Sequence, residues 1–375
     1  MVRLLHTADI HLDSPFSLFD AEKAAARRNE LRGTFSSLML YIKTEHVNVA
    51  LLAGDLFDSE YATRDTLELM RTQFEQNPEC RFVIAPGNHD PLTQKGAYRK
   101  TEFPSNVYIF DSDDITKFSF DDIGVDVYGW AFTEETKEEN PLRKGRIALD
   151  RSKINILCVH ADMLSQNSRY CPMTEEDIAS SGFDYVALGH VHTGGEVKKA
   201  GNTYYAYSGC LEGRSFDECG AKGAIVIKAD PGHLGNEFRF EKKRFSLRKY
   251  EKMTVDVSNS RDSDEVLAKV RTAVKETGYG DDTILRVKLN GVVSPSLKID
   301  ANKITAAALG VFYLELSDDT SPTLDYNELM NDISIRGALF RELLPKLQSE
   351  NEDERRLAAA ALRYGLTALE GGEIN

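Results

Sequence analysis

The chain has 375 residues, with 60 acidic and 46 basic side chains and a formal net charge of −14. At 41% hydrophobic and 28% charged, it has the composition of a globular protein of two or three domains, which excludes collagen-like, disordered and disulfide-scaffold classes. No run approaches the roughly 18 apolar residues of a membrane span, and residues 1–6 enter a strand-like pattern instead of a signal peptide. A cytoplasmic protein with no membrane contact is expected. Five cysteines, at 80, 158, 171, 210 and 219, show no C-x-x-C spacing, which suits a reducing compartment and offers no thiol chemistry. The acidity argues against a chain that grips nucleic acid by itself, because phosphate binding favours lysine and arginine.

In chain order, apolar runs predict strands over 2–5, 47–53, 81–85, 125–128, 154–159, 185–188, 204–207 and 224–228. Helices are predicted between them, notably 21–44, with Asp20 as its N-cap, and 63–76. This alternation predicts an α/β domain over 1–245. The charged segment 241–246 reads as a break. Beyond it, a strand at 252–257, a helix at 263–277 and strands at 283–289 and 310–316 predict a small α+β domain over 247–320. Residues 324–375 read as helical, with helices at 335–348 and 352–369. Their apolar stripes (Ile335, Leu339, Leu343, Leu344, Leu347; Leu357, Ala361, Leu362, Leu366, Leu369) fit packing on each other, on the main body or on a partner.

The chemistry is concentrated where strands end. The first runs into Asp9-Ile10-His11, the second into Gly54-Asp55-Leu56-Phe57-Asp58 and the third into Gly87-Asn88-His89-Asp90. Later apolar runs end at His160 and at Gly189-His190-Val191-His192, so five of the eight histidines stand in such positions. Singly, each is better explained as a turn or a structural cap. Together they converge on the carboxyl ends of strands, where open α/β sheets bind ligands. Imidazoles, carboxylates and one amide oxygen, without a thiolate, suit Mn²⁺, Fe²⁺ or Zn²⁺. They exceed what one ion with an open position accepts, and fit two ions about 3.5–4 Å apart.

As an ordered set, these motifs resemble the calcineurin-like metallophosphoesterase superfamily over about residues 1–230. The resemblance implies a four-layer αββα sandwich carrying a small α+β capping domain and C-terminal helices. It implies one metal on Asp9, His11, Asp55 and His192, and a second on Asp55, Asn88, His160 and His190. His89 would act on the scissile phosphate as a general acid, oriented by Asp90, with Asp58 supporting the site. Residues 5–12, 54–58 and 187–192, with Ser215-Phe216-Asp217-Glu218 and Lys222-Gly223, are similar to SbcD-type DNA repair nucleases. Asp13-Ser14-Pro15-Phe16 fits the YhaO-type relatives best, whereas Ser59-Glu60 and Asp90 depart from Ser/Thr protein phosphatases.

This resemblance implies a Mn²⁺-dependent DNA exonuclease or endonuclease, the catalytic subunit of an SbcCD-like repair complex. The terminal helices would dock on an SbcC-type SMC-like ATPase, and the protein would form a homodimer. The chain has no Gly-x-x-x-x-Gly-Lys-Ser/Thr, so any ATP-driven step belongs to another polypeptide. Lys95, Arg99, Lys100 and Arg214 are candidate DNA contacts, with Arg27, Arg28 and Arg32 on the first helix beside them. Alternatives are a phosphatase or phosphodiesterase acting on nucleotides or phosphoproteins, and a non-catalytic adaptor between DNA and an ATPase.

Overall fold

The computed structural model describes residues 1–230, 236–294, 297–307, 309–323 and 325–369. They form two compact units, Met1–Tyr250 and Glu251–Asn375. The first unit is built on two six-stranded sheets. Its strands in chain order are β1 (Val2–Thr7), β2 (Val49–Leu52), β3 (Arg81–Ile84), β4 (Val107–Ile109), β5 (Thr116–Phe120), β6 (Val125–Gly129), β7 (Ile154–His160), β8 (Tyr185–Gly189), β9 (Lys198–Ala200), β10 (Thr203–Tyr207), β11 (Gly223–Asp230) and β12 (Glu237–Arg244). One sheet runs β12-β11-β1-β2-β3-β4 and the other β5-β6-β7-β8-β10-β9.

In the first sheet β1 to β4 are parallel, with β11 antiparallel to β1. In the second, β6, β7, β8 and β10 are parallel. The central strands are buried on both faces, which is why they read as continuous apolar runs. The sheets face one another through β1 and β8: His6 Nδ1 and the Tyr185 hydroxyl are 2.9 Å apart, and His6 Nε2 lies 3.2 Å from the Leu188 carbonyl. Burial lowers the His6 pKa to about 3, so this is a neutral structural histidine.

Helices α1 (Ala21–Thr44) and α2 (Arg64–Glu75) cover the outer face of the first sheet, through Phe35 on Phe74 and Phe74 on Phe82. The short α3 (Ala97–Lys100) follows β3. On the outer face of the second sheet, Ile178 of α4 (Glu175–Ser181) packs with Leu157, Val159, Val186 and Leu188. The result is the expected αββα layering.

Sequence reading departs from this picture at the edges. The strands β4, β5 and β9 are short or half-exposed and carry no long apolar run. The segment read as a break, 241–246, instead lies largely within β12, which pairs with β11 from Glu237 to Arg244. An edge strand buries only part of one face. Phe238 and Phe240 stack against Tyr204 and Tyr185, and the charges between them face water.

The second unit has a three-stranded sheet of β13 (Lys249–Asp256), β14 (Thr283–Asn290) and β16 (Tyr313–Asp318), and a small pair β15 (Val292–Val293) and β17 (Ser321–Pro322). Its core is formed by Val266, Val270 and Val274 of α5 (Ser263–Thr277) against Leu285, Val287 and Leu289, with Ile304 from α6 (Ala301–Ala306). Then come α7 (Tyr326–Asn331), α8 (Ile335–Leu347) and α9 (Glu352–Leu369). Residue 324 and residues 370–375 of the predicted helical segment lie outside the described residues. The α8 and α9 stripes pack on each other through Phe340, Leu362 and Leu366, while Ile335 and Leu357 remain exposed.

Candidate active site

Parallel register brings the motifs to one end of both sheets. In the first sheet Thr7 pairs with Leu52, and in the second His160 pairs with Gly189, so the segments that follow emerge side by side. Asp9 N donates to the Gly54 carbonyl at 3.0 Å and His11 N to the Asp55 carbonyl at 3.0 Å, which ties the first two loops together. Asp9, His11, Asp55 and His190 all have positive φ, at 51°, 49°, 53° and 111°. Such backbone is costly outside glycine and collects at functional sites. Gly87 is obligatory by contact, because a Cβ there would lie 2.2 Å from Asp55 Oδ1.

The side chains converge as hydrogen-bond acceptors. Ligand atoms of Asp9, His11, Asp55 and His192 all lie within 4.8 Å of one another, an arrangement that could hold a metal ion. Two imidazoles place one nitrogen in hydrogen-bond geometry with an outer acceptor, His160 Nδ1 at 3.0 Å from the Ala53 carbonyl and His192 Nδ1 at 2.7 Å from Glu218 Oε1, while His11 Nδ1 lies 3.3 Å from Asp58 Oδ1 without hydrogen-bond geometry. With the ring proton on that side, the Nε2 lone pairs point inward. There His11 Nε2 meets His192 Nε2 at 3.2 Å, and His160 Nε2 meets Asn88 Oδ1 at 3.0 Å and Asp55 Oδ2 at 3.3 Å. Lone pairs facing lone pairs at these distances repel unless a cation lies among them. The donor set therefore fits divalent ions.

Burial, then the Arg214 charge, holds His11 well below the usual imidazole pKa, and burial with the neighbouring His160 lowers His190 to about 4, so both rings are neutral ligand types. Burial raises Asp9 to about 6. The His160 and His192 rings and the His190 N–H oppose that rise without cancelling it.

His89 is exposed, with its ring 4.9 Å from that of His11, its Nδ1 3.3 Å from the Asp58 carbonyl, and its backbone N–H donated to Asp55 Oδ1 at 2.9 Å. Asp90 does not orient it. The Asp90 carboxylate instead turns inward and accepts from the N–H groups of Asp55, Leu56, Phe57 and Gly87 and from the Tyr98 hydroxyl. It locks two ligand loops together, because successive loop residues point in opposite directions. Burial, followed by the Asp55 charge, pushes its pKa up to about 7, and the five donors favour the carboxylate form.

The basic residues separate into two groups. Lys95, Arg99 and Lys100 are exposed near the third motif, Lys100 lying over the Tyr61 ring. Arg214 turns inward instead: its guanidinium bonds Asp58 Oδ1 at 2.8 Å and Glu218 Oε1 at 3.2 Å. Arg27 is fully buried and paired with Glu212 at 2.9 Å, so it cannot reach DNA, and Arg32 pairs with Asp13. Sequence reading missed Glu212 and the place of Glu218 altogether. It also missed Asp162, buried with Oδ2 3.7 Å from His190 Nε2. Asp162 stands two residues after His160, the only signal that could have marked it.

No helix among the described residues is long and apolar enough to cross a membrane. The chain is 32% identical over 314 residues to the uncharacterized metallophosphoesterase YhaO of Bacillus subtilis, covering 80% of this chain and 74% of that one. It is 24% identical to the DNA double-strand break repair protein Mre11 of Methanopyrus kandleri (77% and 68% covered) and 24% identical to a subunit of the nuclease SbcCD of Staphylococcus epidermidis (63% and 68%). The calcineurin-like phosphoesterase family model matches residues 2–194, which carry every candidate ligand. With both six-stranded sheets and the acceptor cluster at their carboxyl ends in place, the chain belongs to the calcineurin-like phosphoesterase family, whose members hydrolyse phosphoesters at dinuclear metal centres.

Proposed function

We propose that this protein is a Mn²⁺-dependent DNA nuclease and the catalytic subunit of a complex with an SMC-like ATPase. The observation that carries the reading is the convergence of Asp9, His11, Asp55 and His192 ligand atoms at the strand ends. Relatives named for double-strand break repair and for an SbcCD nuclease support DNA as the substrate.

Asp9, His11, Asp55 and His192 would hold one ion and Asp55, Asn88, His160 and His190 the other, with Fe²⁺ and Zn²⁺ as alternative occupants. Bound ions supply Lewis acidity toward the phosphoryl oxygens and toward water. The water oxygen forms the new bond to phosphorus, its proton passes to solvent, and the bond to the leaving oxygen breaks. His89, held with Nδ1 3.3 Å from the Asp58 carbonyl, would supply the proton to that leaving oxygen from Nε2. Lys95, Arg99 and Lys100 are assigned to backbone phosphates. Residues 247–320 would act as the cap over the cleft and 324–375 as the docking segment for the ATPase, in a cytoplasmic homodimer.

Linear duplex DNA incubated with Mn²⁺ should be cleaved, and EDTA should stop the reaction. His89→Ala should lower the rate by about 10²–10⁴-fold while calorimetric Mn²⁺ binding persists. Turnover of cyclic nucleotides or phosphopeptides with DNA left intact would assign a phosphatase or phosphodiesterase instead. Full biological function in an Asp55→Ala variant would assign a non-catalytic adaptor.

A further inference from the structure

Behind the candidate ligands lies a partly buried ionic chain whose side chains the reaction itself does not use. The Glu218 carboxylate is 7% exposed in its side chain and both its oxygens are engaged. Oε1 is 2.7 Å from His192 Nδ1 and 3.2 Å from Arg214 Nη2, while Oε2 accepts from Arg214 N at 2.7 Å and faces Cys210 Sγ at 3.7 Å. The guanidinium then reaches Asp58 Oδ1 at 2.8 Å, and that same oxygen lies 3.3 Å from His11 Nδ1. Arg214 is pinned from behind, since its carbonyl accepts from the Tyr250 hydroxyl at 2.9 Å.

We infer that Glu218 is a positioning residue that sets the tautomer of His192, with Arg214 fixing Glu218 against the outer nitrogen of that ring. A carboxylate oxygen and an imidazole lone pair cannot share 2.7 Å, so the proton lies on Nδ1 of His192 and its Nε2 lone pair is presented inward. The Arg214 Nη2 contact with His192 Nδ1, at 3.1 Å, is then between two donors, and both aim at Glu218. The guanidinium contacts two carboxylates at once and offsets the charge of one of them, so the group behind the ligands keeps a net negative charge that faces the imidazoles. Carboxylates that hold the far nitrogen of a metal-binding histidine fix ring orientation and raise ligand basicity. This inference rests on the proposed metal-holding role of His192, and it makes Arg214 part of the frame of the site.

The test has two independent arms. In the metal-free wild-type protein labelled with ¹⁵N-histidine, long-range ¹H–¹⁵N spectra should show His192 protonated at Nδ1 and bare at Nε2. In Glu218→Ala the ring should relax to a mixture of tautomers. Calorimetry with Mn²⁺ alone should then show affinity about 10–100-fold weaker in Glu218→Ala, with Glu218→Gln recovering part of it through its amide oxygen. A His192 proton on Nε2 in the wild type would overturn the inference without any variant having to fold. So would Mn²⁺ affinity unchanged in a folded Glu218→Ala protein. If the wild type binds no Mn²⁺, the metal reading fails, while the tautomer spectrum still decides the role of Glu218.

Discussion

Two clusters of ionisable groups are buried in the Met1–Tyr250 unit, and they are balanced in opposite ways. Around Glu212 every acceptor meets a donor: Arg27 Nη2 at 2.9 Å, Thr34 Oγ1 at 2.9 Å, and the N–H groups of Leu247 and Arg248 at 2.8 and 3.0 Å. Arg27 also contacts Glu30, which Arg248 in turn engages, so helix α1 is clamped to the 212–213 loop and to 247–248. At the strand ends, Asp9, His11, Asp55 and His160 are equally buried, yet His11 Nε2 faces His192 Nε2 and His160 Nε2 faces Asn88 Oδ1 and Asp55 Oδ2. Burial of charge is common to both regions. The hydrogen balance separates them: the Glu212 carboxylate is complete in its donors, and the strand-end cluster gathers ligand atoms that could hold a cation.

The sharpest way to break this comparison is to unbalance the complete cluster. Arg27→Met leaves Glu212 buried without its guanidinium, and should cost about 3–5 kcal/mol of unfolding free energy by urea denaturation. A loss below about 1 kcal/mol would mean that the pair adds nothing beyond an apolar contact. Adding a cation to the strand-end cluster should have the opposite sign. Mn²⁺ at a hundred times its dissociation constant should stabilise the wild type by about 2.7 kcal/mol. That gain should survive in Arg27→Met and vanish in Asp55→Asn.

A smaller effect tests the site without metal. Asp9→Asn keeps an oxygen to accept from His190 N, which the carboxylate now takes at 3.1 Å, and removes a charge that burial disfavours. The unfolding midpoint of the metal-free variant is expected to stay level or rise, even as Mn²⁺ stabilisation is lost. A loss comparable to that in Arg27→Met would show that the two clusters are not different in kind.

The strand-end gathering of Asp and His side chains was legible in the sequence because each follows a buried apolar run, and the two helical spans 21–44 and 263–277 were legible because period and caps agree. Arg27 stood in plain view on the α1 stripe with Ala24, Leu31, Phe35 and Leu38, and the residue type hid its burial. Glu218 carried no such mark. It stands 26 residues from His192, and only the return of the chain past the second sheet joins them. Asp90 misled for the converse reason, since adjacency to His89 along the chain does not place two side chains on one side of a loop. Strand β12 was obscured because only two aromatic residues, Phe238 and Phe240, interrupt its charges.

The mildest test of the comparison uses pH on the complete cluster. Burial works to raise the Glu30 pKa, but hydrogen bonds from Arg248 and Arg27 outweigh it and hold the carboxyl below its usual value. A depressed carboxylate contributes stability that is fully present above its unfolded pKa, about 4.3, and is lost as pH falls through the lower folded value. Wild-type unfolding free energy should therefore decline on acidification below about pH 4.3, and part of that slope should disappear in Glu30→Gln. An identical slope in the variant would place the acid sensitivity elsewhere. Asp13, lowered through Thr66, Thr63 and Arg32 despite burial, is the next carboxylate to test, so the double variant with Asp13→Asn should flatten the acid limb further.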